Sequence, residues 1–190
     1  MGKREVTTAL QRAVFLDRDG VINRPNVIDG RPFAPTTLEQ FELLPGVSEA
    51  CQLLKHAGFL LVVATNQPDV GRGTLARETV ETIHAKMSAM LPLDRIEVCY
   101  DAGAAHGQPS EFRKPAPGML LRAAQELGID LRQSWMVGDR WRDIDCGSSA
   151  GCRTVFIDLG YDEPLRATPD FRAKDLSDAA DIIIAAAPRS

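Results

Sequence analysis

Paired cysteines are missing from this chain. Its four, Cys51, Cys99, Cys146 and Cys152, share no paired spacing, and three fall inside apolar segments. That excludes a disulfide framework and predicts reduced thiols in a cytoplasmic core. A basic excess is missing too, since 22 Lys and Arg stand against 26 Asp and Glu, for a formal charge of −4. A general nucleic-acid binder needs a cationic face toward the phosphate backbone, so that class is set aside. No apolar run is long enough to span a bilayer, which argues against a membrane partner. The opening Met1-Gly-Lys-Arg-Glu-Val6 has neither the apolar stretch of a signal peptide nor the Ser or Thr that myristoylation needs at position 6. Repeats, low-complexity tracts and linkers are also absent. With 190 residues, 44% of them apolar, a single domain over residues 1–190 is expected. With no large apolar stripe in view, a monomer is expected.

What is present centres on Ala13 to Asn23, Ala-Val-Phe-Leu-Asp-Arg-Asp-Gly-Val-Ile-Asn. Four apolar residues running into two aspartates and a glycine read as a buried strand that stops at a polar edge. Residues i and i+2 of an extended chain point the same way, so Asp17 and Asp19 present two carboxylates to one small volume. Two such charges need a cation or a proton between them, which makes the pair a candidate metal site with its own acid/base.

Strand and helix then alternate. Helical spacing of Val47, Ala50, Cys51, Leu54 and Ala57 precedes a second apolar run, Phe59 to Ala64, ending in Thr65-Asn66-Gln67. Thr74 is expected to cap a helix with Val80, Ile83, Met87 and Met90 inward, before a strand at Ile96 to Tyr100. Lys114-Pro-Ala-Pro117 leads into a helix with Leu120, Leu121, Ala124 and Leu127 inward. Strands follow at Ser134 to Val137 and Arg153 to Ile157, around a short helix from about Asp143 to Ala150. Phe171 to Ala173 reads as an edge strand, and Asp175 as the cap of a terminal helix. The pattern predicts a three-layer α/β/α sandwich on a mainly parallel, Rossmann-like sheet. Ligands of such sheets bind beyond the C-terminal strand ends, where Asp17, Asp19, Thr65, Asn66, Gly138 and Asp139 would meet, with Lys114 joining from a loop.

Three carboxylates with one or two cations and no histidine suit phosphoryl transfer better than acyl transfer. The three histidines, His56, His84 and His106, sit on two predicted helices and a loop, without a Ser or Cys partner. Gly147-Ser-Ser-Ala-Gly151 trails a helix, so close packing is its expected role rather than a nucleophile turn. A phosphate ester repels a carboxylate nucleophile until charge is neutralised. Mg²⁺ on Asp17, Asp139 and a backbone carbonyl would supply part of that neutralisation, and Lys114 and Arg113 the rest. Asp17 would then attack phosphorus, with Asp19 protonating the leaving oxygen and later activating water.

Asp17-Arg-Asp-Gly20, Thr65-Asn66, Lys114-Pro115 and Gly138-Asp-Arg-Trp-Arg-Asp143 resemble, in order, the four motifs of the haloacid-dehalogenase-like phosphatases. The resemblance implies Asp17 as nucleophile and Asp19 as acid/base, its carbonyl on the metal. It puts Thr65 and Lys114 on the transferring phosphoryl, Asp139 as the main acidic metal ligand, and Asp143 near Lys114 or metal-bound water. Asp17 to Asn23, Thr65 to Gln67, Gly71-Arg-Gly73 and Arg113 to Leu120 resemble further the subfamily of heptose-bisphosphate and histidinol phosphatases. Its members lack a large cap domain, and short loops then choose the substrate: Arg24 to Leu38, Pro68 to Gly73 and Asp101 to Arg113. Asn23, Asn66, Arg72, Arg113 and Lys114 are the substrate-binding residues it implies. The likeness covers about Val14 to Ile157.

The chain departs from the subfamily in one place. Many bacterial members hold a structural zinc just before the Arg-Lys-Pro block, with Cys-x-His and Cys-x-Cys pairs. Here one cysteine, Cys99, and one histidine, His106, cannot complete four ligands, so no zinc is expected. The expected activity is Mg²⁺-dependent removal of the 7-phosphate of D-glycero-D-manno-heptose 1,7-bisphosphate, with Arg24, Arg31, Arg72 and Arg113 available for the second phosphate. Histidinol phosphate is the alternative, its amine met by Asp29, Asp69, Asp101 or Glu111. A third possibility, a phosphatase-like chain that only binds, predicts the loss of a catalytic acid; Asp17, Asp19 and Asp139 are all present.

Overall fold

The unbroken apolar runs need cover on both faces, and the chain supplies it with helices on either side of one parallel sheet. A computed structural model describes residues 10–28, 31–107 and 110–187. In chain order the elements are β1 (Arg12–Leu16), β2 (Asn26–Ile28), β3 (Arg31–Phe33), α1 (Val47–His56), β4 (Phe59–Asn66), α2 (Pro68–Gly71) and α3 (Arg77–Met90). They continue with β5 (Arg95–Cys99), α4 (Gly118–Leu127), β6 (Trp135–Gly138), α5 (Trp141–Ala150), β7 (Arg153–Ile157), β8 (Phe171–Ala173) and α6 (Leu176–Ala186). Six strands form one sheet in the order β5-β4-β1-β6-β7-β8, every pair parallel. The remaining two, β2 and β3, make an antiparallel hairpin inside the long connection after β1. No large cap domain is inserted among the described residues.

Alternation along β1 divides the core. Val14 and Leu16 face a layer that includes Val47 and Leu54 of α1, Ile83 and Met87 of α3, and Ile183 of α6. Ala13 and Phe15 face Met119, Leu120 and Ala123 of α4 and Cys146 of α5. All four cysteines are buried and free, and burial pushes the thiols of Cys51, Cys146 and Cys152 up to about 12. Gly147 lets α5 lie against the sheet, since a Cβ there would come within 2.5 Å of the Met136 Cβ. No described helix is long and apolar enough to cross a membrane.

Several local expectations change. Thr74 caps nothing: its hydroxyl donates to the Asp69 carbonyl at 3.1 Å, and α3 starts after Ala76. Met90 is 47% exposed, and the inward position beside Ile83 is taken by His84. In α4 the buried stripe is Met119, Leu120 and Ala123, leaving Leu121 exposed. Leu120 and Leu121 stand about 100° apart on a helix, so both cannot sit at the centre of one face.

Candidate active site

Register places the first carboxylate. Leu16 lies beside Val63 of β4 and Val137 of β6, so Asp17 emerges one residue beyond, with Thr65 and Asp139 just above its neighbours. Its backbone N–H still donates to the Val137 carbonyl at 3.0 Å, and the Arg18 N–H donates to its Oδ1 at 2.7 Å. The chain then closes a tight turn, with the Ile22 and Asn23 N–H groups both on the Arg18 carbonyl. Gly20 sits in that turn at φ +91, and a Cβ on it would lie 2.0 Å from Asp139 Oδ2. Only glycine fits both the left-handed backbone and the approach of the second carboxylate.

Lys114 arrives from the loop before α4 and is 2% exposed. Its backbone is clamped by one side chain, because Asn66 Nδ2 donates to the Lys114 carbonyl at 3.0 Å while the Lys114 N–H donates to Asn66 Oδ1 at 3.1 Å. The ammonium reaches Asp17 Oδ1 at 2.8 Å and Asp143 Oδ1 at 2.6 Å. Asp143 is fixed by the start of α5, where its other oxygen accepts the Arg140 N–H at 3.0 Å. It presses so closely on β6 that a Cβ at Gly138 would meet the Asp143 Cβ at 2.1 Å.

One oxygen from each of Asp17, Asp139 and Asp143 lies within 4.8 Å of the others. Both Asp139 oxygens are buried with no hydrogen-bond donor among the described residues. Burial, then Asp143, raises Asp17 to about 6 against the pull of Lys114; burial, then Asp17, raises Asp139 well above the carboxylate range. A buried carboxylate without donors, beside two others, is the oxygen-rich set that a hard divalent cation takes. These residues therefore fit Mg²⁺. The cluster takes Asp143 where the Asp19 side chain would have joined Asp17.

Asp19 is held elsewhere. Its Oδ1 accepts from Asn23 Nδ2 at 3.0 Å and its Oδ2 from Gln67 Nε2 at 2.9 Å, while Arg18 grips both oxygens. The far arm of the fully buried Arg18 meets His84 Nε2 at 3.1 Å. Burial, then the Arg18 charge, lowers that imidazole to about 4, so it faces the guanidinium neutral. Asn23, expected to meet substrate, is fully buried and spends its amide on Asp19 and the Arg24 carbonyl. Thr65 is 1% exposed, and its hydroxyl accepts from Gln67 Nε2 at 2.9 Å.

A cavity of about 300 Å³ opens over this floor, lined by Asp17, Asp19, Asn66, Lys114 and Asp139. The three loops expected to choose the substrate contribute its walls: Phe33 and Ala34, then Pro68, Asp69 and Arg72, then Arg113. Arg72 is paired with Asp69 at 3.1 Å, and Arg113 donates to the Asp101 carbonyl at 2.6 Å. Arg24 lies off the cavity, paired with Glu42; the side chains of Arg31 and His106, and Asp29 altogether, fall outside the described residues. Cys99 is buried at the end of β5 against Ser110. Two further wall residues, Arg140 and Arg142, belong to the Gly138 to Asp143 motif, which implies no role for them. Their only sequence signal is position, one and three residues after an aspartate at a strand end.

Proton and metal compete for this cluster. Asp17 has a folded value above its ordinary one, so its contribution to stability is present below about 3.8 and is lost as pH rises through about 6. His84, lowered, acts in the opposite sense, losing stability as pH falls from about 6.5 through about 4. The His84 contribution is common to samples with and without metal and cancels in their difference. Magnesium is thus expected to raise the melting temperature more at pH 7.5 than at pH 5, as paired thermal melts would show. An equal increment at both values would mean that the ion binds elsewhere.

A HAD-hydrolase-like family model matches residues 111–179. The chain is 33% identical over 191 residues to a D-glycero-D-manno-heptose-1,7-bisphosphate 7-phosphatase of Thermosynechococcus vestitus, covering 90% of this chain and 94% of that one. It is 37% identical to the D-glycero-alpha-D-manno-heptose-1,7-bisphosphate 7-phosphatase of Burkholderia mallei, over 83% and 85% of the two chains. Among solved structures, the D,D-heptose 1,7-bisphosphate phosphatase of B. bronchiseptica, complexed with magnesium and phosphate, superposes with a TM-score of 0.74 at 29% identity, covering 93% of this chain and 99% of that one. Strand-end carboxylates, a buried lysine between them and near full-length likeness to these enzymes agree: this chain belongs to the haloacid-dehalogenase-like phosphatases, in the subfamily of the heptose-bisphosphate and histidinol phosphatases, and is a phosphoric monoester hydrolase.

Proposed function

We propose that the substrate is a small sugar bisphosphate, and that the bond cleaved is the 7-phosphate ester of D-glycero-D-manno-heptose 1,7-bisphosphate. One observation carries this reading. The cavity has two kinds of anion-handling wall: Lys114 among the carboxylates on its floor, and the guanidiniums of Arg72, Arg113, Arg140 and Arg142 around it. Arg113 is lowered by burial and then by Arg142 beside it, so cations lie close together on this wall. A second phosphate is the ligand group that relieves such crowding. The names of the relatives point the same way.

In the reaction, Asp17 attacks phosphorus to give an aspartyl-phosphate while Asp19 hands a proton to the departing sugar oxygen. Asp19 then takes a proton from the water that hydrolyses the intermediate. Lys114 and Thr65 serve the phosphoryl oxygens, and Lys114 also restrains Asp17 for in-line attack. Asp17 and Asp139 would hold Mg²⁺, with Asp143 completing the acidic cluster and the Asp19 carbonyl as the expected backbone ligand, and the ion would supply positive charge to the cluster and the phosphoryl group. Asn66 positions Lys114 and also faces the cavity, where it can meet substrate, and Asn23 positions Asp19.

Histidinol phosphate fits less well. Of the acids that would receive its amine, Asp69 is paired with Arg72, and Asp101 is engaged by the Gly103 and Ser110 N–H groups. Phosphate release across a panel with both anomers of the heptose bisphosphate, hexose bisphosphates and histidinol phosphate tests the reading. The heptose bisphosphate is expected to have the highest kcat/KM; faster turnover of histidinol phosphate would overturn the assignment.

A further inference from the structure

The loop between β7 and β8 carries no recognised motif, yet it sends one carboxylate to the rim of the cavity. Glu163 Oε2 pairs with Arg140 Nε, and its Oε1 accepts from Arg142 at 2.9 Å and from Trp141 Nε1 at 2.8 Å. Three successive residues at the start of α5 thus converge on one anion. The Arg166 guanidinium lies 3.4 Å from the Trp141 ring, so the loop is held to the helix at a second point that carries no anion. Arg140 and Arg142 are both cavity-lining cations, and both partly exposed, as is Glu163 at 22%.

We propose that Glu163 is a specificity-determining residue, an internal anion that occupies Arg140 and Arg142 until a second anionic group on the substrate takes its place. This rests on the bisphosphate reading above. A monophosphate engages only the floor and leaves the Glu163 pairs intact, so it gains nothing from the two arginines. A bisphosphate gains them only by displacing Glu163, so its net advantage is the difference between phosphate and carboxylate as partners. Glu163 therefore weakens bisphosphate binding, including binding of anions that cannot react.

Glu163→Gln keeps the shape and one acceptor but removes the charge. The ratio of kcat/KM for a sugar bisphosphate to that for the matching monophosphate is expected to rise about fivefold, the size of one partly exposed ion pair. Arg166→Ala, which loosens the loop but keeps the Glu163 carboxylate facing the two arginines, is expected to leave the ratio unchanged. A ratio that stays level or falls in Glu163→Gln, or an equal rise in Arg166→Ala, would reduce Glu163 to a loop fastener and overturn the proposal. The same ratio, read as competitive inhibition of aryl-phosphate hydrolysis by a hexose bisphosphate and a hexose monophosphate, needs no natural substrate. Absent turnover of every bisphosphate would sink the substrate assignment and leave the inhibition ratio to decide on Glu163.

Discussion

Asp17→Asn is expected to lower kcat by about 10⁴-fold or more while leaving the chain folded, because an amide cannot form the covalent intermediate. The fold should tolerate the change. The amide oxygen still accepts the Arg18 N–H, and the carboxylate it replaces is one whose ionised form burial and Asp143 oppose. At pH 7.5 without metal the variant should melt no lower than the parent. Acid-quenched reactions should yield protein-bound phosphate from the parent alone. Activity surviving in the variant would remove Asp17 from the nucleophile's place and shift attention to water held by the other acids.

Lys114→Met should act on stability as strongly as on rate. The lysine is the ammonium between Asp17 and Asp143, both buried, and Asp139 shares their cluster. Burial alone would lower the Lys114 value, yet Asp143 and Asp17 carry it above its ordinary range, so these contacts prevail. Removing one partner of a buried pair leaves uncompensated charge at about 3–5 kcal/mol. In a chain this long that corresponds to a melting point lower by roughly 10 °C. The loss is read best at pH 7.5 in chelator and should shrink toward pH 5, where Asp17 takes up a proton. An unchanged melting curve would mean that the cluster is neutralised by protons already.

How much of this could be read from the residues alone depended on whether a backbone rule placed the side chain. Asp17, Thr65 and Asp139 follow apolar runs, and parallel strands must bring their C-terminal ends to one edge. The Lys114 position was legible only as part of a motif, since no spacing rule ties residue 114 to residue 17. Asn23 sits where the pattern put it but faces inward, toward Asp19, and Asn66 holds the Lys114 backbone while also lining the cavity. A polar side chain at a site can hold another residue as readily as a ligand, and sequence does not distinguish the two. His84 read as one more helical residue because its partner, Arg18, lies 66 positions away. Glu163 was invisible for the same reason: its loop has no periodicity, and its value comes from where β7 releases the chain.

The central place of β1 also orders the events of synthesis. Its neighbour β4 follows within about fifty residues, whereas β6 on the other side begins only at Trp135. A chain emerging from its N-terminus can dock the first half of the sheet while Asp17 still lacks both other acids of the cluster. Lys114 is translated before Asp139 and Asp143. The counter-ion thus precedes the second and third carboxylates of the cluster in the order of synthesis.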